Sequence, residues 1–122
     1  MTSKKILGEE SMNKHIVVFI TTSSKEEADM LSRGLVEERL AFCVNTIPAI
    51  QSTYYWEGKL CVDEEILLIV KTQSQKFEAL EAWVCKNHSY DVPEVIALPI
   101  VQGSPPYLKC IDDWVGQQTT GN

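Results

Sequence analysis

Apolar and polar positions along the chain follow first a strand pattern and then a helix pattern. Residues 15–20 (HIVVFI) are β-branched and aromatic, which predicts a buried central strand. Ser24 with Glu27 three residues later is the pattern of a capping box at the start of a helix. Apolar residues then recur at helical spacing to about Leu40. The first two elements are therefore predicted to be a strand and an amphipathic helix.

A long pair of extended segments follows. Residues 41–56 and 59–72 are predicted strands, and Glu57 with Gly58 between them forms a plausible two-residue turn. Fully extended, residues 43–56 would span about 46 Å. The first helix would cover only about 25 Å. The hairpin is therefore expected to reach beyond the helix of its own subunit.

The rest of the chain completes an alternating order of elements. A second helix is predicted from Ser74 to about residues 87–88, a loop at 89–93, a fourth strand at 94–101 and a short helix after Ser104. The order β-α-β-β-α-β plus a C-terminal helix is typical of the ferredoxin-like split βαβ arrangement. We therefore expect an α+β fold with an antiparallel sheet and a long central hairpin.

The length of 122 residues suits one domain. Residues 1–13 are polar and aperiodic, and we expect a disordered N-terminal extension there. Residues 14–117 form the predicted folded domain, and residues 118–122 are expected to fray.

The distal part of the hairpin carries apolar side chains that no helix of the same chain is expected to cover. They are Tyr54, Tyr55, Trp56 and Leu60. Uncovered aromatic strands with free edges favour association, so a symmetric oligomer is the favoured solution. The alternative is a bent hairpin that folds back on its own core.

Composition narrows the classes of function. The net charge is −6 and the isoelectric point is about 4.9, which argues against a nucleic-acid binder because such proteins need a basic patch. No apolar run is long enough for a membrane helix, and residues 1–13 show no secretory signal, so a cytoplasmic protein is expected. The four cysteines match no zinc spacing, which predicts reduced thiols.

Several segments together resemble one protein family. Residues 54–59 (YYWEGK) resemble the hairpin-tip signature of the CutA divalent-cation tolerance proteins, and residues 88–94 (HSYDVPE) resemble their H-x-Y-x-x-P-E loop. Residues 37–45 (EERLAFCVN) resemble the end of their first helix and the start of the second strand. The resemblance spans about residues 15–116 and implies a stable homotrimer of ferredoxin-like subunits. It also implies a role in tolerance of copper and other divalent cations.

The resemblance to this family directs attention to two metal-ligand candidates. Imidazole suits Cu(II) and thiolate suits Cu(I), so His88 in the family loop and Cys43 are the candidates for copper or another divalent cation. Some relatives carry a cysteine where this chain has Thr21, which argues against a site made of several thiolates. The alternatives are a packed strand cysteine and a loop histidine bonded to the backbone.

A second candidate site is a cleft between subunits, where a hairpin tip would meet a neighbour's His88 loop. Its predicted residues are Tyr54, Trp56, Glu57, Lys59, Tyr90 and Glu94. Aromatic side chains with a few charges can hold a small anion or a metal-bound ligand. The alternative is an ordinary trimer interface, in which tryptophan and tyrosine are common. Glu65 and Lys71 on the returning strand are expected to be a polar pair.

No motif in the sequence indicates catalysis. There is no nucleophile elbow, no phosphate-binding loop and no H-E-x-x-H, and no organic cofactor is expected. Two hypotheses therefore stand. The first is a trimeric metal-tolerance protein that binds copper-type cations weakly, without membrane or nucleic-acid partners. The second, by analogy with PII-type signalling trimers, is a scaffold that binds a small molecule or protein in its clefts.

Overall fold

The computed structural model describes residues 14–116, so the predictions for residues 1–13 and 118–122 lie outside the described part. The strands are β1 (His15–Thr22), β2 (Cys43–Trp56), β3 (Lys59–Gln73) and β4 (Val95–Pro99), and the helices are α1 (Lys25–Glu37), α2 (Phe77–Asn87) and α3 (Pro105–Val115). A short 3-10 turn, Ser74–Lys76, precedes α2. No helix in this part is long and apolar enough to cross a membrane.

The four strands form one antiparallel sheet in the order β2-β3-β1-β4. The β1 strand pairs with β3 from His15 opposite Gln73 to Thr22 opposite Ile66. The β2–β3 hairpin continues well beyond this pairing, to Trp56 opposite Lys59. The α+β class, the long hairpin and the C-terminal helix are thus confirmed.

The core lies between the inner half of the sheet and the first two helices. Its fully buried members from the strands and helices are Val18, Ile20, Leu68, Val70, Leu31, Leu35, Leu80 and Val84. Alternate residues of β1 and β3 are buried because successive side chains of a strand point to opposite faces. The helices α1 and α2 therefore cover one face of the inner sheet.

The helix α1 ends at Glu37, three residues earlier than predicted. Arg39 adopts φ 59°, and the amides of Arg39 and Leu40 bond to the carbonyls of Val36 and Leu35. This pattern is a Schellman cap, in which a residue of positive φ ends the helix. The capping position is usually glycine, so the sequence pattern did not reveal the cap.

The hairpin contains a register shift within its strands and the predicted turn at its tip. A register shift between Ile47 and Ile50 surrounds Pro48, which has no amide proton for the ladder. Glu57 and Gly58 have φ 49° and φ 83°, as a two-residue turn of the I′ class requires. The hairpin beyond the register shift is largely exposed along both strands.

Candidate functional site

A cleft of about 600 Å³ lies between the outer hairpin and the loop that follows α2. Its lining residues are Thr21, Ser52, Thr53, Tyr54, Trp56, Glu65, Tyr90, Asp91, Val92 and Glu94. The predicted cleft residues Tyr54, Trp56, Tyr90 and Glu94 are therefore brought together. A single chain forms this cleft, and the predicted contribution of a neighbouring subunit stays a prediction.

Two predicted cleft residues lie elsewhere. Glu57 is in the hairpin turn and Lys59 begins β3, and neither lines the cleft. Both are exposed at the tip of the hairpin. The sequence grouped them with Trp56 through the family's hairpin-tip motif, and their place in a cleft between subunits stays a prediction.

Glu65 is an acidic residue among those that line the cleft. It is buried, with 8% of its surface exposed, and its Oε2 accepts a hydrogen bond of 2.7 Å from the Tyr90 hydroxyl. Glu65 and Lys71 do not pair within one chain, since Lys71 donates to the Asn45 side chain instead, and an interfacial role of either residue stays a prediction. Glu65 and Lys71 are six residues apart on one strand, about 20 Å when extended, which is too far for an ion pair.

The two tyrosines of the cleft have hydroxyls held by carboxylates. A hydrogen bond to Asp63 raises the pKa of Tyr54 to about 12. Burial, followed by the hydrogen bond to Glu65, raises the pKa of Tyr90 to about 12. Both hydroxyls are therefore protonated at neutral pH and donate to carboxylates, and their rings are uncharged.

Carboxylates dominate the charge of the cleft. Glu65, Asp91 and Glu94 line it, and no lysine, arginine or histidine is among its lining residues in the described part of the chain. Burial raises the pKa of Glu94, and the nearby negative charge of Glu65 raises it further. The cleft therefore has a negative potential that favours a cation over an anion.

His88 lies behind the cleft and fixes the loop. Its side chain is completely buried, and Nε2 lies 2.8 Å from the carbonyl oxygen of Thr21. The Tyr90 amide donates to Nδ1 over 3.0 Å, so Nε2 must carry the proton in a neutral ring. The ring also packs 4.8 Å from the ring of Tyr90. This geometry is that of a histidine which positions Tyr90 through the backbone.

Glu27 holds the loop that follows α2, although the sequence pattern indicates only a capping box for this residue. Ser24 does accept a hydrogen bond of 3.1 Å from the Glu27 amide, so the predicted N-cap is confirmed. The Glu27 carboxylate, however, accepts hydrogen bonds from Thr22 and from the amide of Ser89 at 2.6 Å. Burial alone would raise the pKa of Glu27, but these hydrogen bonds outweigh it and lower the pKa. Glu27 thus ties the loop to α1.

The two metal-ligand candidates lie apart. Cys43 is opposite Lys71 in the sheet, whereas His88 contacts Thr21, which is opposite Leu67. These positions are about 13 Å apart along β3. Within residues 14–116 no three histidine, cysteine or acidic side chains are grouped closely enough to hold a metal ion. The described residues therefore do not fit a metal centre with several protein ligands.

Comparison with known families gives a match over most of the chain. The model of the family described as CutA1 divalent ion tolerance protein matches residues 16–115, which is nearly all of the described chain. The matched region includes the hairpin, the cleft and the loop that holds His88.

Similar proteins come from several kingdoms. The chain is 52% identical over 97 residues to "Protein CutA homolog" of Xenopus laevis, and the match covers 80% of this chain and 64% of that protein. It is 51% identical over 94 residues to "Protein CutA, chloroplastic" of Arabidopsis thaliana, covering 77% of this chain but only 52% of the relative. The "Divalent-cation tolerance protein CutA" of Thermus thermophilus is 46% identical over 103 residues, with 84% and 96% covered. The chain therefore spans only part of the longer eukaryotic relatives.

Solved structures agree with the fold. The divalent cation tolerance protein of Thermus thermophilus superimposes with a TM-score of 0.80 at 44% identity, covering 82% of this chain and 97% of that one. The CutA1 structure from Oryza sativa gives a TM-score of 0.80 at 47% identity, covering 82% and 92%.

Proposed function

Because the chain belongs to the CutA1 divalent ion tolerance family, we propose that it is a trimeric, non-catalytic protein of divalent-cation tolerance. The observation that carries the proposal is the match to tolerance proteins over almost their whole length, 96% for the Thermus relative and 98% for one from Archaeoglobus fulgidus. The names of these relatives give a tolerance role and no reaction. The family resemblance of the hairpin and loop motifs is thus confirmed, and the cellular role of this chain is the proposal.

The trimer is supported by the apolar surface that one subunit leaves uncovered. At the hairpin, Tyr55 and Leu60 are 70% and 71% exposed, and on the edge strand β4 about half of Ile96 and Leu98 is exposed. The strands β2 and β4 each pair with one neighbour only, so the described sheet has two open edges. In the proposed trimer of ferredoxin-like subunits, identical copies would close these edges.

Light scattering tests the assembly. We expect a mass near three times the 13.8 kDa of the chain at micromolar concentration. Leu60→Asp would place a charge in the proposed contact and should lower the mass toward that of one chain. Glu64→Gln, a change at an exposed position of the same strand, is the matched control and should keep the mass of wild type. A mass of one chain for folded wild-type protein would contradict the trimer.

Metal binding is proposed to be weak. His88 and Cys43 are separated, so each would act as an isolated ligand, and a metal at His88 would have to replace the hydrogen bond at Nδ1 or Nε2. Calorimetric titration with Cu(II) and Cu(I) should therefore show low-affinity binding. The heat of binding should decrease in His88→Ala or in Cys43→Ser. Cys85→Ser, at an exposed helix position, is the control. Heats equal in all variants would contradict the assignment of both residues.

A second candidate function is favoured by the cleft. We infer that a small molecule binds there, as in the analogy with PII-type signalling trimers, because a concave site of about 600 Å³ with aromatic walls and a few polar groups has the size of ordinary ligand sites. Native mass spectrometry of protein purified from its own cells should detect an added mass per subunit. Trp56→Ala should abolish it, whereas Tyr55→Ala should not.

A cytoplasmic location is the remaining part of the proposal. The described cysteines Cys43, Cys61, Cys85 and Cys110 are all free, as thiols in a reducing compartment are. Fractionation of the source cells should recover the protein with the soluble cytoplasmic proteins, and recovery from an exported or organellar fraction would contradict this location.

A further inference from the structure

The cleft combines aromatic walls with negative charge, and this combination selects a class of ligand. Tyr54, Trp56 and Tyr90 supply the aromatic surfaces, while Glu65 and Glu94 supply carboxylates. The negative face of an aromatic ring attracts a cation, most strongly when the cation is partly removed from water. An anionic or neutral ligand would leave the acidic groups of the cleft without a partner.

The shape and chemistry of the cleft favour an organic cation over a metal ion. A directly coordinated divalent metal needs several oxygen, nitrogen or sulfur ligands around one point. Within the described residues no three such acidic, histidine or cysteine side chains converge. The volume of about 600 Å³ is also far larger than a bare ion needs, but it suits a small organic molecule.

Glu65 offers a hydrogen-bond acceptor toward the cleft. Its Oε2 is used by the Tyr90 hydroxyl, and Oε1 accepts no hydrogen bond from the described residues. In the described part of the chain, every fully enclosed side-chain oxygen or nitrogen has a hydrogen-bond partner except the Ser32 hydroxyl. Oε1 of Glu65, which has no such partner, is therefore not fully enclosed. Oε1 of this otherwise buried carboxylate is therefore reachable from the cleft, where a ligand N–H can donate to it.

We propose that the cleft binds an organic ammonium ion, with its N–H groups on Glu65 and its hydrocarbon part against Tyr54, Trp56 and Tyr90. The inference rests on the second candidate function, that the cleft takes a small ligand, and it specifies the chemical class of that ligand. Glu94 adds a second negative charge at the same site, so an ion with two amino groups is favoured over one with a single group.

Calorimetry with matched probes tests this class. Putrescine is the cationic probe, butanediol its neutral match and succinate its anionic match, each titrated at physiological ionic strength to limit non-specific attraction. We expect putrescine to bind with saturation and neither other probe to bind. Glu65→Gln should raise the dissociation constant of putrescine at least about tenfold, because it removes a charge-assisted hydrogen bond.

Control variants separate the cleft from the acidic surface. Glu64→Gln removes the same charge from the neighbouring exposed position and should change the dissociation constant less than about twofold. Trp56→Ala should weaken binding and Tyr55→Ala should not, since Tyr55 does not line the cleft. Equal effects of Glu64→Gln and Glu65→Gln would overturn the proposal by showing non-specific binding.

The possible results test two statements separately: that the cleft binds a small ligand, and that this ligand is an organic ammonium ion. Saturable binding of butanediol or succinate without putrescine would overturn the ammonium class and leave the small-ligand function standing. If no probe binds and native mass spectrometry finds no added mass, both fail. If Glu65→Gln weakens self-association and putrescine does not bind, a cationic side chain of a second copy fills the cleft, and the proposal is overturned.

Discussion

The two halves of β3 lie in different environments. The inner half forms part of the core of the fold, and the outer half extends beyond that core. In the inner half, Leu68 and Val70 are completely buried under α1 and α2. In the outer half, Leu60 and Val62 are 71% and 54% exposed, although the ladder with β2 continues without a break from Ile50 to Trp56. Hydrogen bonds and a favourable turn thus form the outer hairpin, whereas apolar burial stabilises the inner half.

The cleft lies where these two environments meet. Glu65 is the first buried residue of β3 after the exposed outer half, and Ile66 begins the pairing with β1. The loop with His88 and Tyr90 packs against this junction from the side of β1. A site at such a boundary has a rigid inner wall and an outer wall that depends on the hairpin.

The largest predicted effect is in the inner half. Leu68→Ala should lower the free energy of unfolding by about 3 kcal/mol, because it removes buried methyl groups and leaves a cavity. Leu60→Ala removes the same groups from an exposed position and should lower the stability of the single subunit by less than about 0.5 kcal/mol. Denaturant unfolding of both variants measures the difference.

The comparison requires a common state of assembly. Both substitutions should therefore be made in the background of Tyr55→Asp, which places a charge in the proposed contact without altering Leu60 or Leu68, so that dissociation does not add to the free energy of either variant. Equal losses for Leu68→Ala and Leu60→Ala in a monomeric sample would mean that the outer half carries as much of the fold as the inner half.

The next effect concerns the cap of α1. The Arg39 guanidinium lies 3.5 Å from the ring centroid of Trp114 and donates to the Trp114 carbonyl over 3.0 Å. These contacts offset the cost of positive φ in a residue other than glycine. Arg39→Ala keeps that strain and removes both contacts, so it should destabilise the chain by about 2 kcal/mol.

Arg39→Gly separates strain from contact. Glycine also loses the contacts with Trp114 but adopts positive φ freely, so it should be about 1 kcal/mol more stable than Arg39→Ala. Thermal unfolding of the two variants gives the difference. If glycine proved no better than alanine, the cap would carry little strain.

Sequence reasoning predicted the elements well where local pattern decides them. The hairpin turn at Glu57 and Gly58 and the apolar stripe of α1 depend on neighbours in sequence. The early end of α1 was not predicted, because Arg39 is held in place by Trp114, 75 residues away. Tertiary contact there overrides the local preference for glycine.

The candidate site was predicted only in part for the same reason. Tyr54, Trp56, Tyr90 and Glu94 were identified as a set by their resemblance to family motifs, and they do line one cleft. The local pattern indicates only a capping box for Glu27 and does not reveal that its carboxylate bonds across the molecule to Ser89. Local pattern likewise does not reveal that Nε2 of His15, at the start of β1, lies 2.8 Å from Asp112 on α3.

Acid should destabilise the inner region through two carboxylates. Burial alone would raise the pKa of Glu27 and of Asp112, but hydrogen bonds from Thr22 and Ser89, and from Gln73 and His15, outweigh it and lower both pKa values. A carboxyl group whose pKa is lower in the folded chain than in the unfolded chain stabilises the fold at pH values above its unfolded pKa. The unfolded pKa is near 4.5 for Glu27 and 3.8 for Asp112. That stability is lost as pH falls through the folded values.

The measurement is the denaturant midpoint between pH 6 and pH 3. We expect it to decrease below about pH 4.5 in wild type and to decrease less in Glu27→Gln. The pKa of Glu94 is raised in the folded chain, so Glu94 stabilises the fold at low pH and this stabilisation is lost as pH rises. Glu94→Gln should therefore make the denaturant midpoint decrease more steeply toward acid pH. A Glu27→Gln profile parallel to that of wild type would show that the loop contact contributes no pH dependence.

The smallest effect on global stability is expected at the hairpin tip. Gly58 has φ 83° and open space where a Cβ would lie, so Gly58→Ala adds only backbone strain, about 1 kcal/mol. Because the outer half contributes little to the cooperative core, this strain should mainly raise local opening. Hydrogen exchange at the amides of Trp56 and Lys59 should then speed up about fivefold, while exchange at Leu68 and Val70 should not change. Equal acceleration at all four amides would mean that the hairpin opens only together with the core, and the two halves of β3 would be one cooperative unit.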